Sequence, residues 1–224
     1  MSVHVVFWPA AAVCIWSLAH FAAWLREQKT LRAALDEAIT GGRISHRKDL
    51  VALKRYLSDR IHFDNSKKNE RRPLLRHTAH EILRSGEGFC GENGRVAILL
   101  LAKGGVRANR LYLEGKRWGH VAVEHDWAGG YKLFDAHPDP ETVLGDEQVG
   151  EIPSDAIDRF PNGYDSNPWV GSYRIKVFHE LGPLRRWERA RPPAWLVRLA
   201  ESPNLVKALA AIPAGVLAVL AAVL

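Results

Sequence analysis

Cysteine is scarce in this chain: Cys14 and Cys90 are the only two among 224 residues. Cys14 lies in an apolar stretch far from Cys90 in sequence, so a disulfide framework is excluded and Cys90 reads as a free thiol of a reducing compartment. A zinc-protease signature is absent too. His80-Glu81 has no second histidine at helical spacing, because position 84 is arginine. His77 and His80, three apart, read as a surface pair, and His125 and His137 lack the cysteines or carboxylates that would close a site around them. The expectation is therefore no metal and no cofactor. Internal repeats are missing, and so is low complexity outside an Ala-rich tail.

Charge is missing in one place and abundant elsewhere. Val3 to Leu25 holds no Asp, Glu, Lys or Arg, although the chain as a whole carries a formal net charge of +6 and a pI near 9.5. The run has about the ~20 residues that cross a bilayer. A cleaved signal peptide would place its basic residues before the apolar core, whereas Arg26, Lys29 and Arg32 follow it. Leu205 to Leu224 is a second apolar stretch, interrupted by Lys207 and Pro213. Its uncharged part from Ala208 would extend about 25 Å as a helix, marginal for a hydrocarbon core of about 30 Å unless Lys207 snorkels. Before it, Leu184 to Arg198 mixes five arginines with Trp187 and Trp195, a composition suited to a membrane interface. The arginines cluster there rather than forming an aromatic-interleaved surface, which argues against nucleic acid as the partner.

Between these ends, Leu31 to Ile39 and Asp49 to Ile61 repeat apolar residues at helical spacing, and Gly41-Gly42 stops the first. His77 to Arg84 reads as a short helix. Asp64 to Arg72 and Pro153 to Trp169 read as loops, and Tyr173 to Phe178 as a strand.

What remains carries chemistry. Gly86-Glu87-Gly88-Phe89-Cys90-Gly91 leads into the apolar run Val96 to Leu101, closed by Gly104-Gly105. A helix N-terminus favours the negative charge of a thiolate, and its unpaired N–H groups can receive an oxyanion. Glu92 opposes that charge unless it turns away. Further on, Val121 to Glu124 and Tyr131 to Phe134 read as two strands joined through Trp127-Ala128-Gly129-Gly130. A two-residue turn at Ala128-Gly129, or a four-residue loop of the same register, sets His120 opposite His137. Asp135 is then its diagonal neighbour on the same face, ~7–8 Å away between backbones. An odd loop would send His120 and Asp135 to opposite faces.

The order Cys90, His120, Asp135, carried by Ala79 to Cys90, Leu99 to Asn109, Gly119 to Glu124 and Tyr131 to Asp135, resembles the transglutaminase-like superfamily of papain-type cysteine enzymes. Cys90-Gly91-Glu92 is also similar to the start of the nucleophile helix in peptide N-glycanases. The resemblance runs from about Asp49 to Asp135. It implies an α+β papain/transglutaminase-like core, with N-terminal helices and a nucleophile helix packed on an antiparallel sheet. It further implies Cys90 as nucleophile, His120 as base and Asp135 as the carboxylate that orients it. A side-chain oxyanion donor upstream of the cysteine is usual in such proteins, and His62, Asn65 and Asn69 stay open for that part.

The organisation expected is a transmembrane helix over 1–28, a catalytic domain over 29–182, a basic juxtamembrane segment over 183–204 and a hydrophobic helix over 205–224. The function expected is a membrane-tethered cysteine hydrolase acting on an amide or ester carbonyl of a protein or peptide. A transamidase of the same fold and a catalytically silent module holding a partner at the membrane are the alternatives. The partners are that substrate and membrane lipid. Positive charge beside both apolar stretches orients the catalytic part towards the cytoplasm.

Overall fold

The computed structural model describes residues 4–64, 77–115, 119–136, 145–154, 169–174 and 191–212. Within them the chain forms helices on one side of a four-stranded antiparallel sheet, an α+β arrangement. Helix α1 (His4–Ala38) is followed by α2 (Arg47–Arg60), the short strand β1 (His62–Phe63), α3 (Ala79–Ser85), the short strand β2 (Glu87–Gly88) and α4 (Cys90–Lys103). Strands β3 (Ala108–Gly115), β4 (Gly119–Trp127), β5 (Gly130–Phe134) and β6 (Trp169–Arg174) come next, then α5 (Ala194–Ala200). Residues 203–212 form a further helix, α6.

Helix α4 is the centre. Every residue from Gly91 to Leu101 is buried, because α1, α3, α5 and the sheet strands β3 and β4 all pack against it. That is why its middle reads as a continuous apolar run rather than a stripe. The helix ends at Gly104, where a β-carbon would stand 2.6 Å from the Cδ1 of Ile44. Helix α2 buries Leu50, Leu53 and Leu57 at helical spacing. Its first turn is held by Asp49, whose carboxylate accepts the N–H groups of Ser45 and His46 at 2.9 and 2.8 Å. Helix α3 opens on a reciprocal cap. Glu81 N donates to Thr78 Oγ1 at 3.2 Å and Thr78 N to Glu81 Oε2 at 2.7 Å. It closes at Gly86, whose φ of 72° suits glycine.

The sheet order is β5-β4-β3-β6. Trp127 pairs with Gly130, so the β4–β5 connection is the two-residue turn. Ala128 and Gly129 have φ of 48° and 79°, the positive pair that a tight hairpin needs. One face of the sheet, with Ala108, Val123 and Phe134, joins the main core around α4. The other buries Leu111, Leu113, Ala122 and Leu133 beneath Ile152.

The chain ends depart from the sequence reading. Helix α1 runs without a break through 35 residues, so the apolar run and Leu31 to Ile39 are one element rather than two. The second half buries Leu31, Ala34 and Leu35 in the main core. The flanking membrane-spanning helices are not found: among the described residues no helix is long and apolar enough to cross a membrane. The apolar stretch of α1 is diluted by Trp16, Ser17, His20 and Trp24. Its polar groups meet α6 instead. Ser17 Oγ donates to the Ala208 carbonyl at 2.8 Å, and His20 Nδ1 lies 3.1 Å from Asn204 Oδ1. The two helices therefore run antiparallel along each other. The expected strand near Tyr173 appears as β6, beginning earlier at Trp169, while 175–178 lie outside the described residues. So does most of the loop expected from Pro153 to Trp169.

Candidate active site

Cys90 is the first residue of α4 and is half-buried. The intrahelical bonds begin behind it, with the N–H groups of Glu92 and Asn93 reaching the Phe89 carbonyl at 2.9 and 3.0 Å. Glu92, the residue that would disfavour a thiolate, turns away from the sulfur. Its Oε1 lies 2.6 Å from His77 Nδ1, and its Oε2 accepts the Phe89 N–H at 3.4 Å. This pairing accounts for one of the two histidines ahead of the cysteine. The other, His80, shares a 2.7 Å hydrogen bond with Thr30 Oγ1. Among the described residues, no group of three His, Cys, Asp or Glu could hold a metal ion.

His120 enters from the opposite side. It stands at the start of β4 across from Leu113, and the β4–β5 register of Val123 with Phe134 puts His120 and Asp135 at positions of the same parity. The structure brings them together: His120 Nε2 donates to Asp135 Oδ2 at 2.7 Å, and the two side chains are 0% and 3% exposed. The Cys90 thiol lies within hydrogen-bonding reach of the same ring. Burial, the largest influence, disfavours the imidazolium, but the Asp135 carboxylate and the Cys90 sulfur outweigh it and push the His120 pKa up to about 10. A second histidine of β4, His125, is equally buried, and the pull of the neighbouring Glu124 carboxylate does not offset that burial. Burial pulls its pKa down to about 4. Two histidines five residues apart are thus shifted in opposite directions.

Of the three candidate oxyanion donors, His62 lies in β1 beside Glu87 and is exposed. Asn65 and Asn69 lie outside the described residues. β1 runs parallel to β2, and Asp64 N donates to the Gly88 carbonyl at 3.1 Å, so β1 lies alongside the strand that leads into Cys90.

Sequence reading misses the groups that brace the site from a distance. Arg110 on β3 forks onto Glu201 at the end of α5, with Nε and Nη2 donating at 2.8 and 2.7 Å. Arg95 on α4 stands 3.3 Å from the same carboxylate. Glu124 of β4, fully buried, accepts from Ser154 Oγ at 2.8 Å, from Asn109 Nδ2 at 3.2 Å and from Arg191 at 3.1 and 3.3 Å. Arg191 also stacks 4.0 Å over the Tyr131 ring. The only sequence signal was weak: charged residues interrupting strands that otherwise read as apolar.

A helix that begins at a cysteine thus packs on an antiparallel sheet that supplies a paired His and Asp in that order. Two solved structures are similar to the chain. One is a candidate cysteine protease from Cytophaga hutchinsonii, at 13% identity and TM-score 0.42, matching 66% of this chain and 50% of that one. The other is a transglutaminase, at 9% identity and TM-score 0.43, matching 63% of this chain and 39% of that one. The chain thus spans half or less of the length of these neighbours, and the likeness concerns the course of the backbone. No family model and no curated protein matches the chain.

Proposed function

We propose that the protein is a cysteine hydrolase that cleaves an amide or ester carbonyl of a protein or peptide through Cys90, His120 and Asp135. The observation that carries this reading is the buried His120 ring, held by Asp135 at 2.7 Å and within reach of the Cys90 thiol. The thiol proton rests on the His120 ring, so Sγ attacks as the thiolate of an ion pair and forms a bond to the carbonyl carbon. The oxyanion is received at the first turn of α4, where the N–H groups of Cys90 and Gly91 precede the first intrahelical bond. His120 then returns the proton to the leaving amine or alcohol as the C–N or C–O bond breaks, leaving a thioester. Water, deprotonated by the same ring, resolves it to the acid and restores the thiol. Asp135 holds the imidazole orientation throughout.

The site works at a membrane in this reading. The support is the row of exposed apolar side chains on α1 (Ile15, Trp16, Leu18, Phe21 and Leu25), continued by Leu209 and Ile212 of α6. Arg26 and Lys29 on α1 and Lys207 on α6 bias the catalytic part to the cytoplasmic side. Arg191 turns instead onto the buried Glu124, and the exposed Arg198 reaches the Ala102 carbonyl.

The test is alkylation of Cys90 by iodoacetamide near neutral pH. Wild type should react well over tenfold faster than a free cysteine peptide, and His120→Ala should lose most of that advantage. Equal slow rates in the two would sink the nucleophile and favour a silent module. For orientation, protease added to intact spheroplasts should spare the 153–169 segment, and digestion there would place the site outside.

A further inference from the structure

We propose that Arg110, clamped by Glu201, is a positioning residue for the nucleophile, supplying fixed positive charge beneath the first turn of α4 that favours the Cys90 thiolate. This rests on the reading of Cys90 as nucleophile and adds to it a residue from a different strand and a partner from near the C-terminus.

The geometry is specific. Arg110 lies across from Val123 in the β3–β4 pairing, on the sheet face that packs against α4. Its Nη1 approaches the helix so closely that a β-carbon on Gly91 would meet it at 3.1 Å. Gly91 is the residue after the nucleophile, and Arg110 and Cys90 are near enough to interact electrostatically. Glu201 occupies the other two nitrogens of the guanidinium at 2.8 and 2.7 Å. That fork fixes the plane of the group and leaves the Nη1 edge towards the helix, an orientation a lysine could not hold. The absence of a side chain at Gly91 is what admits the approach.

Several groups set the field at Cys90. His120 from β4, backed by Asp135, and Arg110 from β3 favour negative charge on the sulfur. Glu92 on α4 itself opposes it but is engaged by His77. Tyr112 on β3, and Glu201 with Arg95 behind Arg110, complete the set. Glu201 closes α5 and stands two residues before α6, so the helix that lies along α1 is joined covalently to the clamp on Arg110.

A purely structural tie between β3 and α5 would degrade the site whichever partner was removed. A charge effect has a sign. The experiment is the pH dependence of Cys90 alkylation by iodoacetamide in the full chain, carrying Cys14→Ser so that one thiol is read. Arg110→Met should move the low-pH midpoint up by about one unit, a roughly tenfold loss of rate on the acid limb. Arg110→Lys, which keeps the charge without the fork, should return only part of that shift. Glu201→Gln, which keeps an acceptor for the guanidinium but removes the opposing charge, should move the midpoint down. If Arg110→Met does not fold, the direction of the Glu201→Gln shift decides alone. Midpoints that stay put, or move up together, overturn the proposal. His120→Ala separates the two readings. Slow alkylation in His120→Ala with unmoved Arg110 and Glu201 variants refutes the role of Arg110 only. Wild type as slow as His120→Ala refutes the nucleophile itself.

Discussion

Asp135→Asn isolates what the carboxylate does for the base. Asparagine keeps the shape and an oxygen that can accept from Nε2, and it removes the charge. The His120 pKa stands at about 10 against an ordinary value of 6.5. At roughly 1.4 kcal/mol per unit, that gap is about 5 kcal/mol of preference for the imidazolium. Burial pulls the other way and persists in the variant, as does the smaller pull of the Cys90 sulfur, so the ring should titrate well below 10 once the carboxylate is gone. The stability consequence follows in sign. Because the folded pKa is raised, the pairing stabilises fully below pH 6.5 and its contribution is lost as the pH rises through about 10. Asp135→Asn should therefore cost about 2–3 kcal/mol near pH 6, with the difference from wild type shrinking towards pH 10. Ring Cε1–H signals followed by NMR across pH, assigned with His120→Gln, give the titration, and urea unfolding gives the stability. A His120 ring that still titrates near 10 in Asp135→Asn would refute the assignment of the shift to this carboxylate.

Other outcomes follow from the packing. His125, depressed to about 4 by burial, contributes stability above pH 6.5 that erodes as the pH falls through 4. His125→Leu should remove about 3 kcal/mol of acid sensitivity, read as the change in urea stability between pH 7 and pH 4. Glu124→Ala strands Arg191, Ser154 and Asn109 and should cost about 3–5 kcal/mol by urea unfolding; a loss under 1 kcal/mol would show the network to be idle. Gly104→Ala forces its methyl against Ile44 and should cost about 1–3 kcal/mol, a cost that should largely vanish when the change is made in an Ile44→Ala background. An equal cost in both backgrounds would place the strain elsewhere.

The parts of the fold written in local sequence were the legible ones. The glycines at 41, 86 and 104 mark real helix ends, and the Ala128-Gly129 turn fixes the parity that unites His120 with Asp135. The role of Glu92 was not legible, because whether a carboxylate beside a cysteine helps or hinders depends on where it points. His77, far enough away to look like a separate surface residue, settles it. Arg110 with Glu201 and Glu124 with Arg191 are separated by 91 and 67 residues, and no periodicity connects such pairs. The apolar run of α1 reads alike whether it faces lipid or another helix, and the polar contacts of Ser17 and His20 with α6 appear only in three dimensions.

Helix α4 is enclosed on every side from Gly91 to Leu101, and this shapes how the protein should exchange its amide hydrogens. The interior amides of α4 can reach solvent only when the domain as a whole opens, so they should be the slowest in the molecule. The N–H groups of Cys90 and Gly91 precede the first helical bond and exchange through local events. Cys90 thus stands where the most protected described segment of the chain meets water. On the proposed mechanism a thioester at Cys90 engages those two amides, so slowed deuterium uptake at Cys90 and Gly91 after incubation with a candidate acyl donor would report acylation without a measurement of turnover.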